Sequence, residues 1–344
     1  GKCECGRTCD HVDKVDDNGY CTVCHALVEP YAIGQTRYKS LEDALTAAKD
    51  GNTITLRGDF YQGSKTVEIN KNVTLDLDGH TLTSDADGAP VLRVLAENVT
   101  IQNGTVENTR TAKSSPAVAV GKLDACAGLT VKSVTFIGSA TEVTPRASAL
   151  SVQSSNVAKV ENGTFTGGIY VEGDLIMTGG SATSLELGSS QGKAELSGGS
   201  FARISIQQQD YAALLAKGYA YQSGTSLVKP GDMDSNTAVQ VVKCTHPDGL
   251  TADTACPYCG KKCGHGNINQ TTGLCPDCGY QKAASLTVDG TTTFFNTFRD
   301  AAIEANGKTG ALLTLLKDEV MQDTSSLTFR GGKITIDWNG HTLS

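Results

Sequence analysis

Aromatic residues are scarce in this chain, at 6% of 344 residues, with one tryptophan, three methionines and eight prolines. Beside that scarcity stand 38 glycines and a wealth of Ser, Thr and Val. The balance argues against a helical protein and for many short strands joined by tight turns. Basic residues are the minority, 29 against 37 acidic ones, for a formal charge of -8. No basic stripe exists that would follow a nucleic acid backbone, and no basic patch that would meet a membrane surface. No run of 18 apolar residues is present, so no segment reads as a membrane-spanning helix. Rossmann, P-loop and Ser-His-Asp signatures are also missing. No signal peptide opens the chain. It starts inside a cysteine motif and stops inside a strand phrase, so it reads as a piece of something longer, with targeting signals expected outside it.

What is plentiful is cysteine in a pattern. Nine of the twelve cysteines fall into three copies of Cys-x-His-x9-Cys-x2-Cys. The copies are Cys9, His11, Cys21, Cys24; Cys244, His246, Cys256, Cys259; and Cys263, His265, Cys275, Cys278. Three thiolates and one imidazole form a common tetrahedral zinc set, and four protein ligands leave no open position for water. The pattern therefore predicts about three structural zinc ions per chain. Gly260 and Gly279 follow the Cys-x-x-Cys pair and let the backbone turn away, while His25 holds that place in the first copy. A disulfide framework is the rival, but each copy has an odd number of cysteines and a His at a fixed place, which disulfides do not explain. Cys3 and Cys5 read as the tail of an earlier knuckle, though their Cys-x-Cys spacing departs from the pattern. Cys126 stands alone and reads as a small buried residue.

A larger repeat encloses the knuckles. Residues 40–49 predict a helix, with Ser40 and Asp43 resembling a capping box and Leu41, Ala44, Leu45 and Ala48 on one face. Gly51 ends it. Strands follow at Thr53–Leu56 and Val73–Leu82. The same order returns later: Phe294, Phe298, Ala301 and Ala302 mark a second helix, Ala311–Leu316 a strand, and Ile334–Leu343 repeats the Val73–Leu82 phrase almost word for word.

Between residues 51 and 209 a strand phrase recurs, alternating apolar and polar and turning at Asn-Gly or Gly-Gly. Its starts at Val99, Leu129, Ala158, Leu175 and Ala194 lie 30, 29, 17 and 19 residues apart. Such spacing predicts coils of parallel strands stacked on one another. A β-sandwich would instead show paired hairpins with turns every 8–12 residues. The stack is expected to carry end caps, the first at 40–49, the last at Asp210–Lys217 with a closing strand or hairpin over Tyr219–Val228. The fold class expected is mainly β: a right-handed parallel β-helix with helical caps at both ends, flanked by small zinc knuckles. The boundaries expected are a knuckle at 1–30, the β-helix at 31–243, tandem knuckles at 244–279, and the start of a second β-helix at 280–344.

The order of knuckle, "SLEDAL" helix, "LDLDGHTL" strand and "YAALLAKGYAY" cap resembles large modular surface proteins of anaerobic Gram-positive bacteria, whose β-helices have pectin-lyase-like architecture. The resemblance implies an extracellular or cell-surface bacterial location. It implies a partner that is a host protein, such as an immunoglobulin, or a glycan. It also admits a polysaccharide lyase or glycoside hydrolase, and Asp76, Asp78 and His80 are the tempting trio. Asp337, Asn339 and His341 repeat that trio in the second copy, which favours a turn over an active site. Asp85, Asp87, Glu107, Arg110 and Arg146 form a second acidic and cationic set with no motif joining them. Binding has the better physical basis. The long spacings come from insertions at Glu107–Pro116 and Gly138–Ser148, which should emerge on one face and present Glu107, Arg110, Lys113, Glu142 and Arg146. Residues 310–344 should pack against the helix at 294–306, with a neighbouring molecule or the knuckles completing the cover, and self-association through residues 280–344 is expected.

Overall fold

The computed structural model describes residues 15–110, 115–122, 126–138, 148–188, 192–206, 210–245, 255–260, 268–276, 280–321 and 326–344. The chain forms two compact units, residues 1–244 and 245–344. Both are mainly β among the described residues.

The first unit opens with an antiparallel hairpin, Tyr31–Ile33 with Thr36–Tyr38, whose first strand also pairs antiparallel with Thr53–Leu56. From there the pairing turns parallel. Thr53–Leu56, Thr74–Asp76, Val99–Asn108, Gly128–Ile137 and Val157–Thr166 lie side by side in order. A second, seven-stranded sheet is parallel throughout and runs from Val67–Ile69 through Leu92–Val94, Val118–Val120, Leu150–Val152, Ile169–Val171 and Leu185–Leu187 to Ile204–Ile206. The chain alternates between the two sheets, so each pass lays a strand beside the strand of the pass before.

Register does the packing. Ile54, Leu75, Ile101, Val131, Val160, Met177 and Leu196 occupy one column of paired positions, and each is at most 1% exposed. Leu82, Val106, Phe136, Phe165, Ala182 and Phe201 occupy another. Phe136 and Phe165 meet edge to face, with centroids 5.6 Å apart. Inward side chains of both sheets join one core. Each buried aliphatic contributes about 1.5–3 kcal/mol, and the alternation of apolar and polar residues makes a one-residue slip expensive.

The turns expected at the Asn-Gly pairs are bends that do not interrupt the strand. Val99–Asn108 and Gly128–Ile137 are each one ten-residue strand, bent where Asn103 (φ +57°) and Ser133 (φ +50°) enter the left-handed region. Asn tolerates that conformation, because its short polar side chain bonds locally. Gly104 is demanded by closeness instead: a Cβ there would stand 2.4 Å from the Leu77 Cβ.

The first cap is a helix, Leu41–Ala47, with the Ser40 hydroxyl accepting from the Asp43 amide. The Lys71 ammonium donates to the carbonyls of Thr46 and Ala48 and closes its C-terminal end. The other cap corrects the expectation of a helix at Asp210–Lys217. A single 3-10 turn, Tyr211–Leu214, stands there, and Leu215 then bridges in parallel to Leu196. Only Leu215 and Ala216 extend, beside Leu196 at the end of Lys193–Leu196, with the Ala216 amide donating to Leu196 O. The expected hairpin is present as Tyr219–Ser223 with Ser226–Val228, and Val239–Lys243 joins it antiparallel.

The second unit repeats the opening of the first. A hairpin of Ala284–Val288 and Thr291–Phe295 leads to the helix Phe298–Ala305, capped by Thr297, and then to Ala311–Leu315 and Ile334–Asp337, which pair in parallel. Phe294 lies on the hairpin strand, not on the helix as the sequence reading had it, because the helix begins only after its Thr297 cap. Phe298, Ala301 and Ala302 do face the core with Leu313 and Leu315. No helix among the described residues is long and apolar enough to cross a membrane.

Candidate metal centre and loop face

The knuckles are built on turns. In the first, the Asp16 carboxylate accepts from the amides of Asn18 and Tyr20, and Gly19 (φ +84°) hands the chain to Cys21. The Cys21 amide then donates to Ala26 O, and the Val28 amide to Gly19 O. In the third, Asn269 accepts from Thr271 and Thr272, Gly273 (φ +69°) takes the corner, the Cys275 amide donates to Tyr280 O and the Lys282 amide to Gly273 O. The backbone bonds around Cys21 and Cys275 match at an offset of 254 residues, while the Asx turns differ: Asp16 accepts from the amides two and four residues on, and Asn269 from those two and three residues on. The roles of Asp16, Gly19, Asn269 and Gly273 escaped the sequence reading. Their signal was the Asx-turn composition ahead of the Cys-x-x-Cys pair.

Cys-x-x-Cys turns close identically where they are described. The His25 amide donates to Cys21 O and the Gly260 amide to Cys256 O, both at 2.8 Å. His25 (φ +55°) adopts the left-handed conformation that Gly260 (φ +64°) takes freely, so the expected turn forms without glycine in the first copy. In the second copy the sulfurs of Cys244, Cys256 and Cys259 lie within 4.8 Å of one another. Sulfurs sharing one tetrahedral zinc at about 2.3 Å stand about 3.8 Å apart, so this trio fits a thiolate-bound metal ion. Cys21, Cys244, Cys256 and Cys275 are buried, and Cys24 and Cys259 half-buried. Cys9, His11, His246, Cys263, His265 and Cys278 lie outside the described residues, as do Cys3 and Cys5. Cys126 is exposed, contrary to the expected buried site. The next residue, Ala127, takes the inward position.

The trio Asp76, Asp78 and His80 is brought together as a turn. Asp76 accepts from the Asp78 amide (3.0 Å), from Gln102 (2.7 Å) and from Asn103 (3.2 Å). His80 Nδ1 stands 3.6 Å from Asp59, whose carboxylate also holds the Thr81 amide at 2.8 Å. Asp337, Asn339, His341, Thr342 and Asp318 reproduce the arrangement at 2.9, 3.5 and 2.8 Å. Asp76, Asp59, Asp337 and Asp318 bind the chain's own amides, which is the work of a turn, and Asp78 pairs with Arg57 at 3.5 Å.

The two insertions leave the fold at the same step, between one sheet and the other. One connects Asn108 to Val118, and the next connects Ile137 to Leu150. Their bases are pinned. Buried Asn108 donates to the carbonyls of Ala86, Ala89 and Pro116 and accepts from the Arg110 amide. At the second base Gly138 is packed so closely that a Cβ would stand 2.4 Å from Ser148 O. Of the loop candidates, Glu107 and Arg110 are described, while Lys113, Glu142 and Arg146 fall outside the described residues. Arg110 Nε lies 3.6 Å from Asp87. Asp85 beside them accepts from Ser64 and Tyr61, and those bonds, Ser64 first, hold its carboxyl below the usual range. The Tyr61 ring, 55% exposed and fixed through its hydroxyl, was not anticipated. So Asp85, Asp87 and Arg110 lie near one another, with Tyr61 bonded to Asp85. The groove of about 470 Å³ elsewhere on this unit offers one carboxylate, Glu97, and one ammonium, Lys159.

Comparison with protein-family models, with curated proteins and with solved structures gave no match.

Proposed function

We propose that this chain is a modular binding protein of the bacterial cell surface or extracellular space, resembling the surface proteins of anaerobic Gram-positive bacteria. In this reading residues 31–243 wind as a right-handed parallel β-helix and present a loop-lined face to a host protein, such as an immunoglobulin, or to a glycan. The observation that carries it is the shared exit of the two insertions, at one step of successive passes, beside the anchored ring of Tyr61 and the charges of Asp85, Asp87 and Arg110. Insertions at equivalent positions of a repeat sum to one surface, and function concentrates on loops held by a rigid scaffold. A glycan array and a pull-down from host secretions test it. The intact chain should capture a ligand, and shortening residues 109–115 and 139–147 should abolish capture. Equal capture after shortening, or none by the intact chain in either assay, overturns the reading.

The knuckles serve as zinc-closed structural joints. Each uses its three cysteines and one histidine, so the chain should carry three zinc ions by elemental analysis. The cysteine trio and the matched turn scaffolds support this. Zinc bound to four protein ligands folds the small unit around it. A chelator should remove the metal and leave the far-UV strand signal of the first unit nearly intact. A disulfide between Cys21 and Cys24, or metal near zero, overturns the assignment.

A further inference from the structure

Tyr61 carries the most exposed aromatic ring among the described residues, at 55%. Exposed side chains ordinarily change rotamer freely, but this one is tethered. Its hydroxyl donates to Asp85 Oδ1 at 2.7 Å, and the Ser64 hydroxyl donates to the same oxygen at 2.5 Å. The backbone beneath is fixed as well, since Phe60–Tyr61 pairs with Leu82 and Thr83. The fold does not require a tyrosine at this place. In the second unit the bridge Glu319–Leu343 answers to the pair Phe60–Leu82, and the next residue is Val320, 65% exposed. The strand position is open in both units, and only the first unit sets an anchored ring on it.

The groups around the ring are those that recognise hydroxyls. Asp85 takes both bonds on Oδ1, and among the described residues no donor reaches its Oδ2. Those bonds, Ser64 first, hold its carboxyl below the usual range, so it is ionised at neutral pH and only accepts. Arg110 faces Asp87 through Nε at 3.6 Å, and its Nη groups have no acceptor among the described residues. Its charge also reaches Asp85. A guanidinium is a planar fork of donors. A ring face, an acceptor oxygen and a donor fork together match a pyranose. The C–H face of the sugar lies on the negative face of an aromatic ring. Its adjacent hydroxyls donate to a carboxylate and accept from a guanidinium. Charge then chooses among sugars. Two carboxylates against one guanidinium leave the patch negative, on a chain of net charge -8, and this repels uronic and sialic acids.

We infer that Tyr61, Asp85 and Arg110 form a platform for a neutral hexopyranose of a glycan chain. The sugar stacks on the Tyr61 ring, donates to Asp85 Oδ2 and accepts from the Arg110 Nη groups. Ser64 is a positioning residue, because it holds Asp85 and not the sugar. The inference rests on the binding reading above and narrows its partner to an uncharged glycan.

Calorimetric titration of the intact chain with tetrasaccharides of glucose, galactose, mannose and galacturonic acid tests it. At least one neutral tetramer should bind, and the galacturonate should not. Tyr61→Ala removes the stacking face and should weaken that binding about tenfold or more. Tyr61→Phe keeps the face and loses only the tether, for a loss of about threefold. Asp85→Asn exchanges an acceptor for a donor and should lose about tenfold. Urea midpoints of the variants, read by far-UV dichroism, show that the first unit is folded in each. Preference for galacturonate, or equal binding by Tyr61→Ala and the intact chain, overturns the platform. So does capture of a host protein with no neutral tetramer bound. The loop-face reading stands after any of these three results. Absence of every capture, of glycan and of protein, removes both.

Discussion

Residues 73–82 and 334–343 carry one phrase, yet their side chains end at different depths. Both copies make the same turn, with an aspartate holding the amide two residues on and a second aspartate near the histidine. Both follow a helix capped in the same way. The first aspartate's bond stays within the phrase, the second aspartate, Asp59 or Asp318, comes from the connection ahead of it, and both contacts are made in each copy. Burial depends on the next strand over and differs: Leu75 and Leu77 are buried, whereas Ile336 is half-buried and Trp338 47% exposed. The turn is thus a property of the sequence segment, while the core is a property of the stack.

The sharpest way to break this comparison is to truncate equivalent inward residues. Leu75→Ala should cost the first unit about 2–5 kcal/mol, because it opens a cavity between two covering strands. Ile336→Ala should cost the second unit roughly 1 kcal/mol, because half of that surface already meets water. Urea unfolding separates the two, with far-UV dichroism dominated by the first unit and Trp338 emission reading the second. Equal losses would show that the covering strand does not set the energy.

Next in size is Gly104→Ala, which drives a Cβ into Leu77 and the His80 carbonyl and should cost about 1–3 kcal/mol. Gly340→Ala meets nothing within 4 Å, but φ is +75° there, so its cost should be about 1 kcal/mol and purely conformational. The same unfolding curves measure both. The caps should show no difference between units: Ser40→Ala and Thr297→Ala each lose one side-chain bond to an amide, of 3.1 and 3.0 Å, for about 1 kcal/mol apiece. Unequal cap losses would mean that tertiary contacts, not local ones, hold the helices.

The smallest effect concerns a residue without a polar counterpart. Tyr31 is fully buried, and its hydroxyl has no hydrogen-bond partner among the described residues, whereas Ala284 fills the equivalent register position. Burial, reinforced by Glu42, pushes the phenol above its ordinary value. The unfolded chain ionises this group near pH 10 while the folded chain keeps it protonated, so stability is full below about pH 10 and falls above it. Tyr31→Phe should gain up to about 1 kcal/mol at neutral pH and reduce the alkaline loss. Thermal melts at pH 7 and pH 11 check both signs.

Much of this was legible beforehand. The alternation in Val99–Val106 and its relatives announced strands, and the repeat interval announced that these strands pair in parallel. The Cys-x-x-Cys spacing announced a turn that even His25 accommodates. What escaped reading depended on distant partners. Asn103 looked like a turn between two strands and is a bend within one, because the neighbouring strand continues past it. Leu215 looked like part of a longer helix, but the turn stops at Leu214 and Leu215 pairs with Leu196 instead. Tyr61 and Asp85 are 24 residues apart and met through the pairing of Phe60–Tyr61 with Thr81–Ser84.

The sequence by itself determined periods, turns and caps. Each rests on dihedral preference or on bonds spanning a few residues: Ser40 to Asp43, Asp76 to Asp78, Asp16 to Tyr20. Only the tertiary structure decided which apolar residues became core, where the loop bases were pinned, and which three sulfurs came within reach of one another. Those outcomes rest on contacts between segments far apart in the chain, whose free energy appears only when both partners are in place.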